Sequence, residues 1–476
     1  MSRRSLLFRR QPLLNLEQLA RIENAALRIL DEIGIAVLHD GLLQRLRSAG
    51  FRACGDRVMI EPHVVHQFLA AERAANGGEF SEEPQSIELD GAEIRLEVSP
   101  YPQSTHDLSS DSIVPFTTDR LIEAAKLVHM LSARAVGPRA PGCPRDVPPP
   151  LQPIVQYWVG ASYCQGARDP VDPKSRAALP YVVAMAEVLG RPVTSLPVYV
   201  SSPLTLGSES LQCVLQVRRK LSSVSVSNMA SLGCTTPINV GDAYALLAAE
   251  VIGTAILLRE LIHLPIRWSV RLCPIDLRNM AMCLGSPEDF LLQLQSSEVN
   301  AYFHGTKWHP AVGSVHSSAK LPGSQACSEK ASLMTAGALL GQRRFGVAGT
   351  LSLDEVFSAE QLVYDVEIRD HVHRMVAGMG GECDPDRCVA SITEALRQGN
   401  FAALDDTLGR YRDVYWHPAL FERGFLAKWQ AGGEVTIRQK AQQLIRELLG
   451  KYDWELEPEL QRALDGILAR ARSDLT

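Results

Sequence analysis

From about residue 112 the chain repeats one pattern: a short apolar run, a polar loop marked by Gly or Pro, then an amphipathic helix. The runs fall at 112–115, 134–137, 161–164, 197–200, 223–226, 266–270, 299–303 and 344–348. Helical spacing is predicted between them at 119–131, 176–189, 208–220, 242–261, 287–294, 328–340 and 360–379. Eight such units in series predict an α/β chain folded as a (β/α)8 TIM barrel. A doubly wound open sheet is the alternative, disfavoured because no G-x-G-x-x-G fingerprint follows any run.

The flanks differ from this middle. Residues 1–110 read as an N-terminal α/β region opening with a helix at 15–33, where Asn15 and Gln18 are spaced as a capping box and Gly34 stops it. Short strands are predicted near 57–59 and 86–98. Residues 111–380 form the predicted barrel. Residues 381–476 read as a helical C-terminal extension, with helices predicted near 384–398, 403–412, 419–430, 435–449 and 458–472. Ser286-Pro287 and Ser358 to Gln361 are further helix starts.

Composition removes several function classes. A net charge of -6 argues against nucleic acid as the main partner. The ten cysteines are scattered with no C-x-x-C pair, as expected of reduced thiols in a cytoplasmic protein. The opening MSRRSLLFRRQPLL fails as a signal sequence because Arg9 and Arg10 interrupt its apolar run. The most apolar stretch, 243–258, contains Glu250 and ends at Arg259-Glu260, which predicts a buried helix and no membrane span.

In a barrel of this kind chemistry sits at the carboxyl ends of the strands. Those positions are Thr117-Thr118, Arg139, Gln165, Ser201-Ser202, Asn228, Arg271, His304 with the loop to Gln325, and Thr350. The 300–330 stretch is the densest, carrying Tyr302, His304, Lys307, Trp308, His309, His316, Lys320 and Gln325. Its histidines lack the spacing of a zinc site, so no metal is expected. No G-x-S-x-G marks a nucleophile. Trp308, Tyr302 and Trp268 are placed to line a pocket for a cation, each ring contributing about 0.5–2 kcal/mol. Tyr302 and Trp268 equally fit an outward position in the helix layer. Arg271 fits either a carboxylate clamp or an ion pair at the rim.

Several stretches carry a family resemblance. They are 27–37 (LRILDEIGIAV), 318–326 (SAKLPGSQA), 349–351 with 357–368 (GTL and FSAEQLVYDVEI), and 416–423 (WHPALFER). Together they resemble the trimethylamine methyltransferase superfamily, which includes the non-pyrrolysine, glycine betaine methyltransferase-like corrinoid enzymes. The resemblance implies a TIM barrel that moves a methyl group from a methylated amine to the Co(I) of a separate corrinoid protein. It also implies no cofactor held tightly by this chain, and a homo-oligomer. No pyrrolysine is written in the sequence. A quaternary ammonium already carries the charge that lets the amine leave, so a betaine-like donor is expected. On this reading Tyr302, Trp308, Arg271, Trp268 and Asn228 bind substrate, while Lys320, Gln325 and His304 serve catalysis. Departures from the family pattern lie at Asp406-Thr407, in the proline-rich 131–153 and in 235–241. The other readings are a non-catalytic barrel kept as a binding or scaffold subunit, and a barrel acting on a different one-carbon or amine substrate.

Overall fold

Two arcs of parallel strands form the middle of the molecule. In the first, Ser195–Tyr199, Ser223–Ser227 and Ile266–Ser269 run side by side, with Ser227 opposite both Tyr199 and Ser269. Ala230–Ser231 beside Leu272–Cys273 prolongs it. In the second, Arg344–Ala348 runs parallel to Arg95–Val98, flanked by single parallel bridges from Gly346 to Ser314 and from Leu96 to Val136. Among the described residues, strand pairing does not join the two arcs into a ring. The computed structural model describes residues 7–77, 80, 81, 83, 85–88, 91–379 and 382–475. The first six residues of the signal-like opening, and positions 89 and 90 of the predicted 86–98 strands, lie outside them.

The first arc alternates with a period of two, as half-buried strands must. Leu196, Val198, Val224, Val226, Ile266 and Trp268 are buried on one face. That face meets the helices, and Trp268 packs between Phe68 and Phe303. The other face carries Ser195, Pro197, Tyr199, Ser223, Ser225, Ser227, Arg267 and Ser269, all half-buried or exposed. Ser223 Oγ donates to Ser195 Oγ at 3.1 Å and accepts from Arg267 at 3.1 Å, a polar ladder across three strands. In a packed barrel the inward positions hold branched apolar side chains. The open face here carries small or polar residues instead, apart from Pro197 and Tyr199.

Four of the eight predicted strands take other forms. Residues 299–303 finish the Pro287–His304 helix. Its buried Leu292, Ser296, Val299 and Phe303 recur at helical spacing, and nothing stops the helix before Gly305, which caps it at φ 61. Residues 161–164 end the Gln152–Tyr163 helix, which starts with a proline in its first turn. Of 134–137 only Val136 makes a bridge. Ser112–Pro115 pairs antiparallel with Ser104–Asp107. The second arc instead uses Arg95–Val98, from the predicted N-terminal region, and Ser314 from the long loop.

Val240–Ile262 is buried almost all round and packs against Leu16–Glu32. Gly253 permits that closeness, since a Cβ there would lie 2.5 Å from Leu30 Cδ2. Leu16–Glu32 begins with the Asn15–Gln18 capping box. At the other end of the chain, Ile437–Gly450 packs on Ala359–Val376, and Pro458–Leu475 packs on Gln152–Tyr163 and Leu179–Val188. Pro385–Gln398, Asp405–Val414 and Leu426–Ala431 stand between them, mostly exposed. No helix among the described residues is long and apolar enough to cross a membrane.

Candidate functional site

The carboxyl ends of the two arcs bring aromatic and charged side chains together. Tyr199 ends its strand and is 42% exposed, while Tyr101, three residues beyond Val98, is 45% exposed. The two phenols lie near enough for each to shift the other's ionisation. The Tyr199 hydroxyl also donates to Asp172 Oδ2 at 3.5 Å, and Ser210 Oγ fixes the Tyr199 backbone from an N–H 3.0 Å away. Lys174 Nζ lies 5.9 Å from the centre of the Tyr101 ring and 3.4 Å from the buried Cys143 thiol. Asp172, Lys174, Pro197 and Tyr199 line a cavity of about 300 Å³. A second cavity, of about 480 Å³, is lined by Val171, Arg139, Gln156, Asp169, Glu97 and Arg344.

The charges set the state of the phenols. Partial burial and then the Asp172 carboxylate push the Tyr101 phenol above its ordinary value. Burial, then Tyr101 and Asp172, push Tyr199 up as well. Both rings therefore stay neutral at ordinary pH, presenting π faces and O–H donors. Asp354 and Arg139 also act on Tyr101 through their charges. Asp354 lies 3.8 Å from Nε2 of the buried His316. His316 Nδ1 and Asp354 Oδ1 are buried without a hydrogen-bond partner.

A buried ion pair supports this end. Lys330 and Asp365 are fully buried, and Lys330 Nζ donates to Asp365 Oδ2 at 2.8 Å and to Val347 O at 3.0 Å. Asp365 also accepts from Gly349 N–H at 2.7 Å and from Gln361 at 2.8 Å. The pair thus fixes the turn at Val347 and Gly349, both at positive φ, from which the chain enters the loop carrying Ser352, Asp354 and Glu355. In that loop Ser352 Oγ accepts from Lys320 Nζ at 2.7 Å and donates to Glu355.

The residues singled out from the sequence divide. Lys320 lies at the carboxyl end, on Ser352. Asn228 is buried and donates to Glu250 at 2.8 Å and to Leu247 O at 3.1 Å. Glu250 in turn accepts from Ser202 and from Leu204 N–H, so this set ties loops to a helix. Arg271 pairs with the buried Asp289 at 2.8 Å. Gln325 is exposed and donates to Glu329. Tyr302, expected on a strand, and His304, expected at its end, lie in the helix layer. Tyr302 donates to Glu23 at 2.6 Å beneath Arg73, and the His304 ring sits 4.0 Å from Trp268. Trp308 is 0% exposed, donates to Ser297 at 3.0 Å and carries Arg10 over its ring at 4.5 Å. The sequence reading missed Tyr101, Asp172 and Lys174. Tyr199 stood inside a predicted strand, and its place at the carboxyl end was the available signal.

The sequence model for trimethylamine methyltransferase (MTTB) matches residues 6–158 and 176–476. The chain belongs to the trimethylamine methyltransferase family. Trimethylamine methyltransferase MttB2 of Methanosarcina mazei is 27% identical over 286 residues, 59% of this chain and 57% of that protein. MttB of Desulfitobacterium hafniense strain DCB-2 is 27% identical over 271 residues, 56% and 53% of the two chains. The chain thus spans little more than half the length of these family members. A glycine betaine methyltransferase of D. hafniense strain Y51 is 22% identical over 475 residues, 95% of this chain and 96% of that one. The crystal structure of a monomethylamine methyltransferase of Methanosarcina barkeri covers 96% of this chain and 92% of its own at a TM-score of 0.38 and 10% identity, too loose a likeness to argue from. The family match breaks at 159–175, the stretch that supplies Asp172 and Lys174.

Proposed function

We propose that this chain takes a methyl group from a quaternary amine of the betaine class and delivers it to the Co(I) of a partner corrinoid protein, within a (β/α)8 barrel starting at Arg95. The observation carrying this reading is the Tyr101–Tyr199 phenol pair beside Asp172. A quaternary nitrogen has no hydrogen to donate, so its recognition rests on π faces and a nearby carboxylate. Each face contributes about 0.5–2 kcal/mol. Lys174 and Arg139 supply positive charge for a donor's carboxylate, which favours a zwitterion over a simple ammonium.

Such a donor needs little acid–base help. When its methyl C–N bond breaks, the electron pair stays on nitrogen and a neutral tertiary amine leaves. The corrinoid cobalt supplies the nucleophile when the partner is bound. The protein's own part is to hold the methyl group in line and keep water out, and orientation contributes up to roughly 7–11 kcal/mol in favourable cases. The apolar rim supports a large, flat acceptor. Ile238 and Leu277 converge at Gly233, and Met229 and Met280 are exposed in the same loops. Barrel membership rests on the two parallel arcs and the carboxyl-end position of the cluster.

Calorimetric titration with glycine betaine, other quaternary amines and trimethylamine tests the reading. Binding of a zwitterionic quaternary amine, weakened by Tyr199→Ala, is expected, with methyl transfer to an added Co(I) corrinoid protein. Preferential binding of uncharged or acidic ligands would overturn it.

A further inference from the structure

A third cavity, of about 250 Å³, shares no lining residue with the two at the carboxyl ends. Three separate parts of the chain wall it: the Ser104–Asp107 strand, the Thr118–Ser132 helix and, from the C-terminal extension, the Ile437–Gly450 helix. Arg438 fastens the last of these by pairing with Asp111 and, at 3.2 Å, with the buried Glu360. Leu127, Phe357 and Ile445, all buried, give the cavity an apolar wall. His106 gives it a polar one. The His106 side chain is fully buried, with Nε2 2.9 Å from Asp111 Oδ1. Hydrogen bonds from Arg438 and then His106 hold the Asp111 carboxyl down at about 2, so at ordinary pH it is ionised and can only accept. Nε2 therefore carries the ring hydrogen and Nδ1 keeps a lone pair. That lone pair is buried with no hydrogen-bond partner among the described residues, an arrangement that costs stability until something donates to it.

Charge narrows what that donor is. Arg120 and Asp107, both lining the cavity, satisfy each other at 2.6 Å, and the Ser109 and Ser110 N–H groups take the second Asp107 oxygen. Glu123, on the same helix, also lines the cavity and pairs with no cation among the described residues. The charge left uncompensated is negative. We propose that this cavity binds a small alkylammonium ion bearing at least one N–H. The N–H donates to His106 Nδ1, the positive charge faces Glu123, and the alkyl groups lie on Leu127, Phe357 and Ile445. A quaternary ammonium has the charge but nothing to donate, so the cavity selects against it. Because one wall belongs to the C-terminal extension, an occupant also ties that extension to the rest of the chain. The site stands on its own residues and does not depend on the proposed methyl transfer.

Calorimetric titration of the full chain at pH 7 with trimethylammonium, tetramethylammonium and acetate tests the proposal, with Tyr199→Ala as background to remove the phenol cluster. Trimethylammonium is expected to bind that background about tenfold more tightly than tetramethylammonium, the worth of a hydrogen bond to a charged group. His106→Leu should abolish the preference. Glu123→Gln, at an exposed position and so expected to keep the wild-type melting temperature, should weaken trimethylammonium roughly threefold. Equal affinity for the two cations, or no binding of either, would overturn the proposal. Trimethylammonium binding that Tyr199→Ala alone abolishes would overturn it in favour of the phenol cluster. Tighter binding of acetate would overturn it in favour of a charged His106 ring and an anionic ligand. Should His106→Leu fail to fold, an unchanged affinity in Glu123→Gln would still overturn it.

Discussion

Aromatic rings stand beside charged groups both in the helix layer and at the carboxyl ends of the strands, and the two places treat them differently. Toward the N-terminal segment, Trp268, Tyr302, His304 and Trp308 pack in the helix layer, with the Trp268 indole N–H buried and unbonded. Tyr302 holds Glu23, Trp308 holds Ser297 beneath Arg10, and His304 Nε2 lies 2.9 Å from Trp268 O. At the carboxyl ends, Tyr101 and Tyr199 remain two-fifths or more exposed over open space. A ring whose faces are covered and whose polar atom is satisfied has little left to offer a ligand. Composition makes the two clusters look alike; what separates them is that Trp268 and Trp308 are buried while Tyr101 and Tyr199 stand exposed.

The largest expected effect concerns the support beneath the open end. Lys330→Met leaves Asp365 buried and unpaired, and is expected to cost about 3–5 kcal/mol in urea unfolding. A loss below about 1 kcal/mol would mean that the turn after Val347 is held by other contacts. Trp308→Ala comes next, with a destabilisation of about 3–5 kcal/mol and unchanged ligand affinity in the folded fraction. A large affinity loss at unchanged stability would make the packed cluster the binding site. Tyr199→Ala is expected to do the reverse. Affinity for a quaternary amine should fall about tenfold, near 1.4 kcal/mol, while stability moves by roughly 0.5 kcal/mol or less. Calorimetry paired with denaturation reads both quantities.

The smallest effect is a matter of pH. Tyr199 and Tyr302 both have raised phenol values, chiefly from burial, with Tyr101 and Asp172 adding for the one and Glu23 for the other. A raised folded-state value contributes stability that is fully present below the unfolded tyrosine value of about 10 and is lost as pH rises through the folded value. Tyr302→Phe and Tyr199→Phe should each flatten the alkaline fall in melting temperature. Absorbance titration at 295 nm should assign one fewer late-ionising phenol to each variant. An unchanged alkaline limb in Tyr302→Phe would show that Glu23 does not hold that phenol.

Much of the scaffold was legible from local rules. The Asn15–Gln18 box and the caps at Ser286 and Ser358 form as spaced, because a cap depends on three or four adjacent residues. The strands around 195–199, 223–227 and 266–269 were legible because each alternates buried and open positions, and 344–348 as a short apolar run. Residues 299–303 misled because a short apolar run fits strand or helix equally, and only the uninterrupted helix before it decides. Arg95–Val98 was assigned to the N-terminal region since its partner, Arg344–Ala348, is some 250 positions away. The cluster itself was the least legible part. Tyr101, Asp172 and Lys174 sit in proline-flanked loops without periodicity, and their meeting is a product of the fold alone.

The packing of Leu16–Glu32 on Val240–Ile262 has a consequence for how the protein is made. Translation delivers the first helix early, then Pro62–Asn76, which covers part of it, and its main cover more than 200 residues later. At about 5–20 residues per second the growing chain carries the rest of that helix uncovered for ten seconds or longer, a window in which chaperones and aggregation compete. Nascent chains halted before Val240 should be captured by a hydrophobic-binding chaperone, and chains extended past Ile262 should escape it. Equal capture of both lengths would mean that the first helix finds another early partner.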